Sequence, residues 1–168
     1  MQHSGKVVLV FGNDVSTDAI YPGRFMATVL PSETPQYAFA DLAEFNARLR
    51  GKEFPPGSII AAGANFGCGS SREQAVSALK GHELVIVARG FARIFQQNAV
   101  NLGLRTVTCA DLEAGEGDEI EIAADRVINR TRRRSFAAQP LPPARLAIVA
   151  AGGLILCTRQ RLLAKHGR

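Results

Sequence analysis

The first feature of this 168-residue sequence is how few metal ligands it offers. It contains three cysteines, Cys68, Cys109 and Cys157, which lie far apart and form no C-x-x-C pair. Structural zinc sites and iron–sulfur clusters need several thiolates at suitable spacing. The sequence therefore offers no complete set of cysteine ligands, and we interpret Cys109 and Cys157 as small buried residues.

Long apolar runs are also missing. No segment approaches the ~20 consecutive apolar residues that a membrane-spanning helix requires. Residues 1–5 are polar and lack the charged and apolar regions of a signal peptide. We therefore expect a cytoplasmic protein with no membrane partner.

Acidic residues are absent from the last quarter of the chain. Residues 126–168 carry 10 basic and no acidic side chains, whereas residues 1–125 carry 10 basic and 15 acidic ones. The densest part is the arginine run 130–134, which has no interleaved aromatic side chains, so we expect no nucleic-acid partner. Two interpretations remain, a solvated basic face or a face that docks on an acidic partner subunit. In the second case, charge reversal of Arg132 and Arg133 should weaken assembly and leave folding intact.

The pattern of apolar residues predicts an α/β fold in a single domain over residues 1–168. Buried strands are predicted at 6–11, 58–62, 84–88 and 106–109, and helices at 36–49, 71–80 and 91–101. This alternation favours a partly parallel sheet with flanking helices. Short alternating segments at 119–122, 126–128 and 134–137 predict a small appended β element, followed by closing helices at 140–150 and 153–164. Phe91 and Phe95 lie one helical turn apart, as core side chains do, and His82 is expected in an exposed turn.

The most informative segment is residues 63–73, GANFGCGSSRE. Its three glycines allow tight turns and a close approach of the backbone to a ligand. Ser70 and Glu73 have the spacing of a capping box, which predicts Ser70 as the N-cap of the following helix. Both hydroxyls and Arg72 would then lie at the positive end of a helix dipole. Such a site binds a carboxylate or phosphate and can stabilise a deprotonated serine.

Four motifs together carry a resemblance to a known family. They are GANFGCGSSR at 63–72, FARIF at 91–95, NAVN-x-GL at 98–104 and STDAI at 16–20. In their order and in chain length they resemble the small component of the aconitase superfamily. The closest match is to the stand-alone small subunits of 3-isopropylmalate dehydratase and their homoaconitase relatives. The resemblance implies a swivelling β/β/α domain.

The resemblance also implies that this chain is half of an enzyme. In this family a separate large subunit carries the 4Fe-4S cluster, so this chain is expected to bind no cofactor itself. The substrate is a small hydroxy diacid, and the isolated chain could form a homo-oligomer. The implied activity is that of a hydro-lyase, active only with the large subunit and belonging to leucine biosynthesis.

Individual residues take their roles from the resemblance. The base serine of the family matches Ser70, and its substrate-binding serine and arginine match Ser71 and Arg72. The Thr-Asp pair at or beside the family's site matches Thr17 and Asp18. In the loop that follows, Arg24 is expected to bind a second carboxylate.

The implied chemistry suits these residue types. A proton α to a carboxylate is weakly acidic, so a base must meet it in a dry, positively charged setting. At a helix N-terminus beside Arg72, the alkoxide of Ser70 would gain a few kcal/mol of electrostatic stabilisation. A guanidinium also clamps a carboxylate through two parallel hydrogen bonds, which lysine cannot do.

Two departures from the family pattern leave the substrate open. Gln74 stands where the family has histidine, and the loop at 26–33, where relatives set specificity, does not match the leucine-pathway pattern. Related substrates such as dimethylmalate, citramalate (with citraconate) or the homocitrate of homoaconitase-type enzymes remain alternatives. A non-catalytic anion-binding module on the same fold is the alternative from a different class.

Overall fold

The computed structural model describes residues 2–166. Its strands are β1 (His3–Val10), β2 (Ile59–Ala62), β3 (Val85–Ala88), β4 (Thr106–Thr108), β5 (Glu119–Ile122), β6 (Arg126–Asn129) and β7 (Arg134–Ala137). Its helices are α1 (Thr17–Ile20), α2 (Ala43–Arg50), α3 (Glu73–Gly81), α4 (Arg93–Leu102), α5 (Pro143–Ala150) and α6 (Leu154–His166). Two 3-10 turns cover Gly23–Phe25 and Thr34–Tyr37.

All seven strands form one sheet in the order β4-β3-β2-β1-β5-β6-β7. The four strands from β4 to β1 are parallel, and β5, β6 and β7 continue the sheet antiparallel from the other edge of β1. The α/β class and the partly parallel sheet are therefore confirmed. The predicted small appended β element is β5, β6 and β7, which extend the main sheet because β1 is long enough to pair on both sides.

The sheet curls until its two edges meet. The backbone N–H of Gln139, just after β7, donates to the carbonyl of Thr108 in β4 at 2.8 Å. The inside of the curl is filled by apolar side chains from the strands and the segment that follows β4, namely Val7, Ile59, Ala61, Val85, Val87, Cys109, Leu112, Ile120, Ile122, Val127 and Phe136. One of two hydrophobic cores thus lies within the sheet itself.

The second core lies between the parallel strands and the helices. Along β2, Ile59 and Ala61 face the inside of the curl, whereas Ile60 and Ala62 face the helices. Strands that are buried on both faces have continuous apolar runs in their sequence. The aromatic pair Phe91 and Phe95 packs in this second core with its rings stacked 6.3 Å apart, which confirms that both are core side chains. The predicted helix begins later than expected, at Arg93, so Phe91 precedes it.

One predicted helix is interrupted. The helix expected over 36–49 is a 3-10 turn followed by α2, and between them Phe39 has a backbone φ of 52°. A residue in this left-handed region cannot continue a right-handed helix. Within residues 2–166, no single helix is long and apolar enough to cross a membrane; only the pair 143–150 and 154–165, bent by 93°, meets the criteria of length and composition together.

Three of the four arginines in the run 130–134 are paired within the chain. Arg130 donates to Glu121 at 2.8 Å through Nε, Arg132 donates to the buried Asp118 at 2.6 Å, and Arg134 pairs with Glu113. Reversing the charge of Arg132, whose own side chain is half-exposed, would place a second carboxylate beside the buried Asp118. Charge reversal at Arg133 has no such neighbour among the ion pairs of the described residues, and the expectation that folding stays intact remains a prediction.

Candidate functional site

A cavity of about 220 Å³ lies at the carboxyl ends of the parallel strands, where α/β proteins place their sites. Its lining combines the loop after β1, the glycine-rich loop after β2 and the first turns of α4. The lining residues are Thr17, Gly67, Gly69, Ser70, Ser71, Arg72, Ala92, Arg93, Ile94, Phe95 and Asn98. Four of the six predicted site residues therefore lie at one cavity.

Two positions of the glycine-rich loop have backbone conformations that favour glycine. Gly67 has a φ of 81°, and a Cβ there would lie 2.2 Å from Cγ of Phe95. Gly69 has a φ of 86°, again in the left-handed region. The backbone N–H of Gly67 donates to the carbonyl of Val15 at 2.7 Å, which ties this loop to the loop after β1.

Thr17 holds the backbone of the candidate base. Its side chain is only 2% exposed, and its hydroxyl donates to the carbonyl of Ser70 at 2.7 Å. Its own backbone N–H donates to the carbonyl of Cys68 at 2.8 Å. Thr17 therefore lines the cavity, but its hydroxyl is engaged with the glycine-rich loop.

The predicted capping box is wrong. Helix α3 begins at Glu73 with Arg72 as its N-cap, and no side chain caps it. Ser70 is held in the loop by its carbonyl bond to Thr17, too far back to cap the helix. Ser70 and Ser71 are exposed, and their hydroxyls bond no residue in the described part of the chain. Both hydroxyls are thus available to a ligand.

Arg72 and Asp18 form an ion pair beside the cavity. The Arg72 guanidinium donates to the Asp18 carboxylate and, at 2.9 Å, to the carbonyl of Tyr21. Asp18 also accepts from the backbone N–H of Gly23 at 2.9 Å. The bond from Arg72, then that from Gly23, holds the pKa of Asp18 below its usual value of 3.8. Asp18 therefore remains a carboxylate at neutral pH and fixes the position of the arginine.

Arg24 lies away from the cavity. Its guanidinium pairs with Asp41 and stacks over the ring of Phe25, 4.6 Å from the ring centre. Asp41 is the main cause of the raised pKa of Arg24. As the side chain stands, it is an exposed partner of Asp41, and its role as a second carboxylate ligand stays a prediction.

The sequence analysis missed two cavity residues, Arg93 and Asn98. Both lie on α4, whose N-terminus faces the cavity and has no side-chain cap. Arginine in a first helical turn opposes the helix dipole, which is an unfavourable choice for helix stability alone. That local conflict is the signal that could have identified Arg93. Arg72, Arg93 and two helix N-termini make the cavity positive, and none of its described lining residues is acidic.

The loop at 26–33 lies next to the start of α3. The Nε2 atom of Gln74 lies 3.5 Å from the carbonyl oxygen of Met26. Val29 and Leu30 are exposed in this loop, at 67% and 54% of their surfaces. Gln74, which stands where the resemblance places a histidine, therefore contacts the loop that the resemblance connects with substrate specificity.

The described residues do not fit an iron–sulfur cluster. No group of three or more His, Cys, Asp or Glu side chains in residues 2–166 is placed to hold a metal ion. The prediction that Cys109 and Cys157 are buried is confirmed. Burial raises the pKa of Cys109 to about 11, so it remains a thiol at neutral pH.

Comparisons with known proteins define the class. Residues 45–112 match the model of the aconitase C-terminal domain. The crystal structure of 3-isopropylmalate dehydratase (leuD) from Methanocaldococcus jannaschii has a TM-score of 0.88 and 35% sequence identity, and 99% of each chain is covered. The fold is that of the small component of aconitase-type hydro-lyases.

Two relatives identify the family within this class. The 3-isopropylmalate dehydratase small subunit of Thermodesulfovibrio yellowstonii is 39% identical over 168 residues, which cover 96% of each chain. The small subunit of Methanosarcina mazei is 42% identical over 154 residues, 89% of this chain and 93% of the relative. The chain belongs to the family of 3-isopropylmalate dehydratase small subunits, and the resemblance carried by its motifs is confirmed.

Proposed function

We propose that this chain is the small subunit of a heteromeric hydro-lyase, 3-isopropylmalate dehydratase, which isomerises 2- and 3-isopropylmalate by dehydration and rehydration in leucine biosynthesis. The observation that carries this proposal is the cavity that gathers Ser70, Ser71 and Arg72 in front of two helix N-termini. Family membership supports the choice of substrate and of a large-subunit partner.

Ser70 is the proposed base. Its hydroxyl is exposed and bonds no described residue, so it can meet a substrate proton directly. Ser70 must first release its own proton to solvent, and the resulting alkoxide then takes the substrate proton. Arg72 and the nearby backbone N–H groups stabilise this alkoxide. Thr17 holds Ser70 in place through the Ser70 carbonyl.

Arg72 and Ser71 are the proposed ligands of a substrate carboxylate. The Arg72 side chain is only 15% exposed, so its donors act in a partly desolvated setting where charge-assisted hydrogen bonds are strong. Asp18 is anionic and would repel a diacid. We therefore assign it to positioning Arg72, in place of the direct substrate contact that the motif suggested.

The 4Fe-4S cluster belongs, in this proposal, to the large subunit, where it supplies a Lewis acid for the leaving hydroxyl. This chain then binds a carboxylate, excludes water and moves the proton. The active site would form where the cavity meets the partner.

The loop at 26–33 contributes, in this proposal, to the choice of the diacid substrate. The exposed Val29 and Leu30 suit a substrate with an alkyl branch, as isopropylmalate has. Dimethylmalate, citramalate and homoaconitase-type substrates remain alternatives, because Gln74 and this loop both depart from the family pattern.

The test is activity of the chain co-expressed with its large subunit on isopropylmalate, dimethylmalate, citramalate and homocitrate. We expect activity on isopropylmalate, and a loss in kcat of about 1,000-fold in Ser70→Ala with the complex intact. Ser4→Ala, an exposed serine on β1, is the matched control and should keep full activity. Activity retained in Ser70→Ala would exclude this base. An intact complex with its cluster in place but no activity on any of these diacids would point to another substrate, whereas failure to find any partner would favour the anion-binding module.

A further inference from the structure

A substrate with two carboxylates needs two places that hold a negative charge. In the proposed function Arg72 and Ser71 bind one carboxylate, and the other has no ligand yet. Arg24, which the resemblance suggested for it, pairs with Asp41 outside the cavity. The described lining residues of the cavity include one further cation, Arg93.

The Arg93 side chain is not engaged within the described part of the chain. The residue is exposed and forms no ion pair with any described residue. Arg72, by contrast, is held by Asp18 and by the carbonyl of Tyr21. The two arginines come from separate elements, the loop after β2 and the first turn of α4. They can therefore bind separate carboxylates of one molecule.

The start of α4 is fixed to the glycine-rich loop. The backbone N–H of Ala92 donates to the carbonyl of Phe66 at 2.9 Å. The ring of Phe95 packs edge-on against Phe66, with the ring centres 5.3 Å apart, in space that Gly67 leaves without a side chain. The backbone of Arg93 is therefore held in a fixed position relative to the loop that carries the candidate base. Groups on rigid elements of this kind can hold a ligand precisely.

Arg93 has a cost for the helix that it begins. A cation in the first turn opposes the helix dipole, and α4 has no side-chain cap that would offset this. Proteins commonly give up stability of this kind where activity requires the residue. An arginine that weakens its own helix, lines a cavity and has no ion-pair partner among the described residues is suited to a ligand of negative charge.

We infer that Arg93 binds the second carboxylate of the diacid, in place of Arg24. This inference rests on the proposed function, because it concerns the same site. It has two measurable consequences. Arg93 contributes to the binding of diacids by the complex, and it lowers the stability of the chain without substrate.

The kinetic experiment uses the complex with the large subunit and 2-isopropylmalate as substrate. Arg93→Gln should raise KM by roughly 10- to 100-fold with a smaller change in kcat, because a charged hydrogen-bond partner of the substrate is lost. Arg93→Lys keeps the charge but cannot form two parallel hydrogen bonds, so it should recover only part of the loss. Arg50→Gln, at an exposed arginine on α2, is the matched control and should keep the KM of the wild type.

Two truncated inhibitors identify the carboxylate that Arg93 binds. Each is 2-isopropylmalate with one of its two carboxylates replaced by hydrogen. The inhibitor that lacks the carboxylate held by Arg93 should bind the wild type and Arg93→Gln equally well. The other inhibitor should lose affinity in Arg93→Gln by a factor similar to the rise in KM.

Thermal unfolding of the isolated full chain measures the cost to stability. Arg93→Gln should raise the unfolding midpoint by about 1–3 °C, because the variant removes a cation from a helix N-terminus. Arg50 lies in the last turn of α2, where a cation is favourable, so Arg50→Gln should lower the midpoint by a similar amount. A purely structural role for Arg93 predicts the opposite result, a lower midpoint in Arg93→Gln.

Several outcomes would overturn the inference and leave the proposed function standing. They are an active complex in which Arg93→Gln keeps the KM of the wild type, equal losses of affinity for both truncated inhibitors, and a lower unfolding midpoint in Arg93→Gln. A rise in KM confined to Arg24→Gln would return the second carboxylate to Arg24, and failed assembly of Arg93→Gln would assign Arg93 to contact with the large subunit. A wild-type complex that acts on no diacid would overturn the proposed function, and this inference with it.

Discussion

Asp18 fixes the orientation of the Arg72 side chain through an ion pair. Its carboxylate receives hydrogen bonds from Arg72 and from the backbone of Gly23, and both lower its pKa. A built Cβ on Gly23 would lie 3.3 Å from both Arg72 and Asp18, so the turn fits closely around the pair. The arginine is therefore held in one orientation before any ligand arrives. Because the pKa of Asp18 is lowered, this arrangement should persist throughout the range in which the enzyme is assayed.

Asp18→Asn tests this positioning role. Loss of the charged partner should free Arg72 to move, so that KM rises roughly tenfold while kcat changes little. Asp18→Glu keeps the charge and should recover part of the loss. The measurement is steady-state kinetics of the complex with the large subunit, together with the thermal unfolding midpoint of each variant. A fall in kcat with unchanged KM, or equal losses in both variants, would contradict the assignment.

The residues of the site were more predictable than their local structure. Ser70, Ser71, Arg72 and Thr17 could be assigned to one cavity because a motif preserves residue type and order. The N-cap of α3 could not be predicted, because the carbonyl bond between Ser70 and the distant Thr17 outweighs the local capping preference. Tertiary contacts of this kind leave no local pattern in the sequence.

At the scale of elements, helix ends are fixed by contacts with loops. Helix α3 ends at Gly81, and its C-cap His82 donates from Nε2 to the carbonyl of Pro35 at 2.8 Å. His82, which was expected in an exposed turn, is thus half-buried. Burial lowers the pKa of this imidazole below 6.5, with the bond to Pro35 acting in the opposite direction.

The lowered pKa of His82 predicts how stability depends on pH. In the unfolded chain His82 takes up a proton near pH 6.5, whereas in the folded chain it does so only at lower pH. Its contribution to stability is therefore complete above about pH 6.5 and is lost as the pH falls towards the folded-state pKa. Thermal unfolding of the wild type and of His82→Gln between pH 5 and pH 8 measures this. The wild type should lose more stability on acidification than the variant, and parallel curves would contradict the prediction.

The strand order of the molecule was only partly predictable. Continuous apolar runs in β2 and β3 identified the parallel half, because such runs are typical of strands covered on both faces. Apolar and polar residues alternate in β5, β6 and β7, and this pattern is the same whether such strands join the main sheet or form a separate one. Their pairing with β1 depends on the spare length of that strand, which appears only in three dimensions.

At the scale of the whole molecule, the sheet closes through the segment after β7. The N–H of Gln139 donates to Thr108 on the opposite edge, and the inner core lies behind this contact. We expect the Gln139 amide to exchange with solvent slowly, with protection close to that of the central strands, because releasing it requires the curl to open. Hydrogen exchange followed by NMR measures this directly. Exchange as fast as that of an unbonded amide would mean that the edges separate readily.

Lys80, at the end of α3, donates to the carbonyls of Leu102 and Gly152. Helix α6 therefore starts where α3 and α4 end, whereas the serines and arginines of the cavity lie where those helices begin. Substitutions in α6 can then change one end of the molecule without touching the residues of the cavity. A lineage could alter that end while the other stays constant.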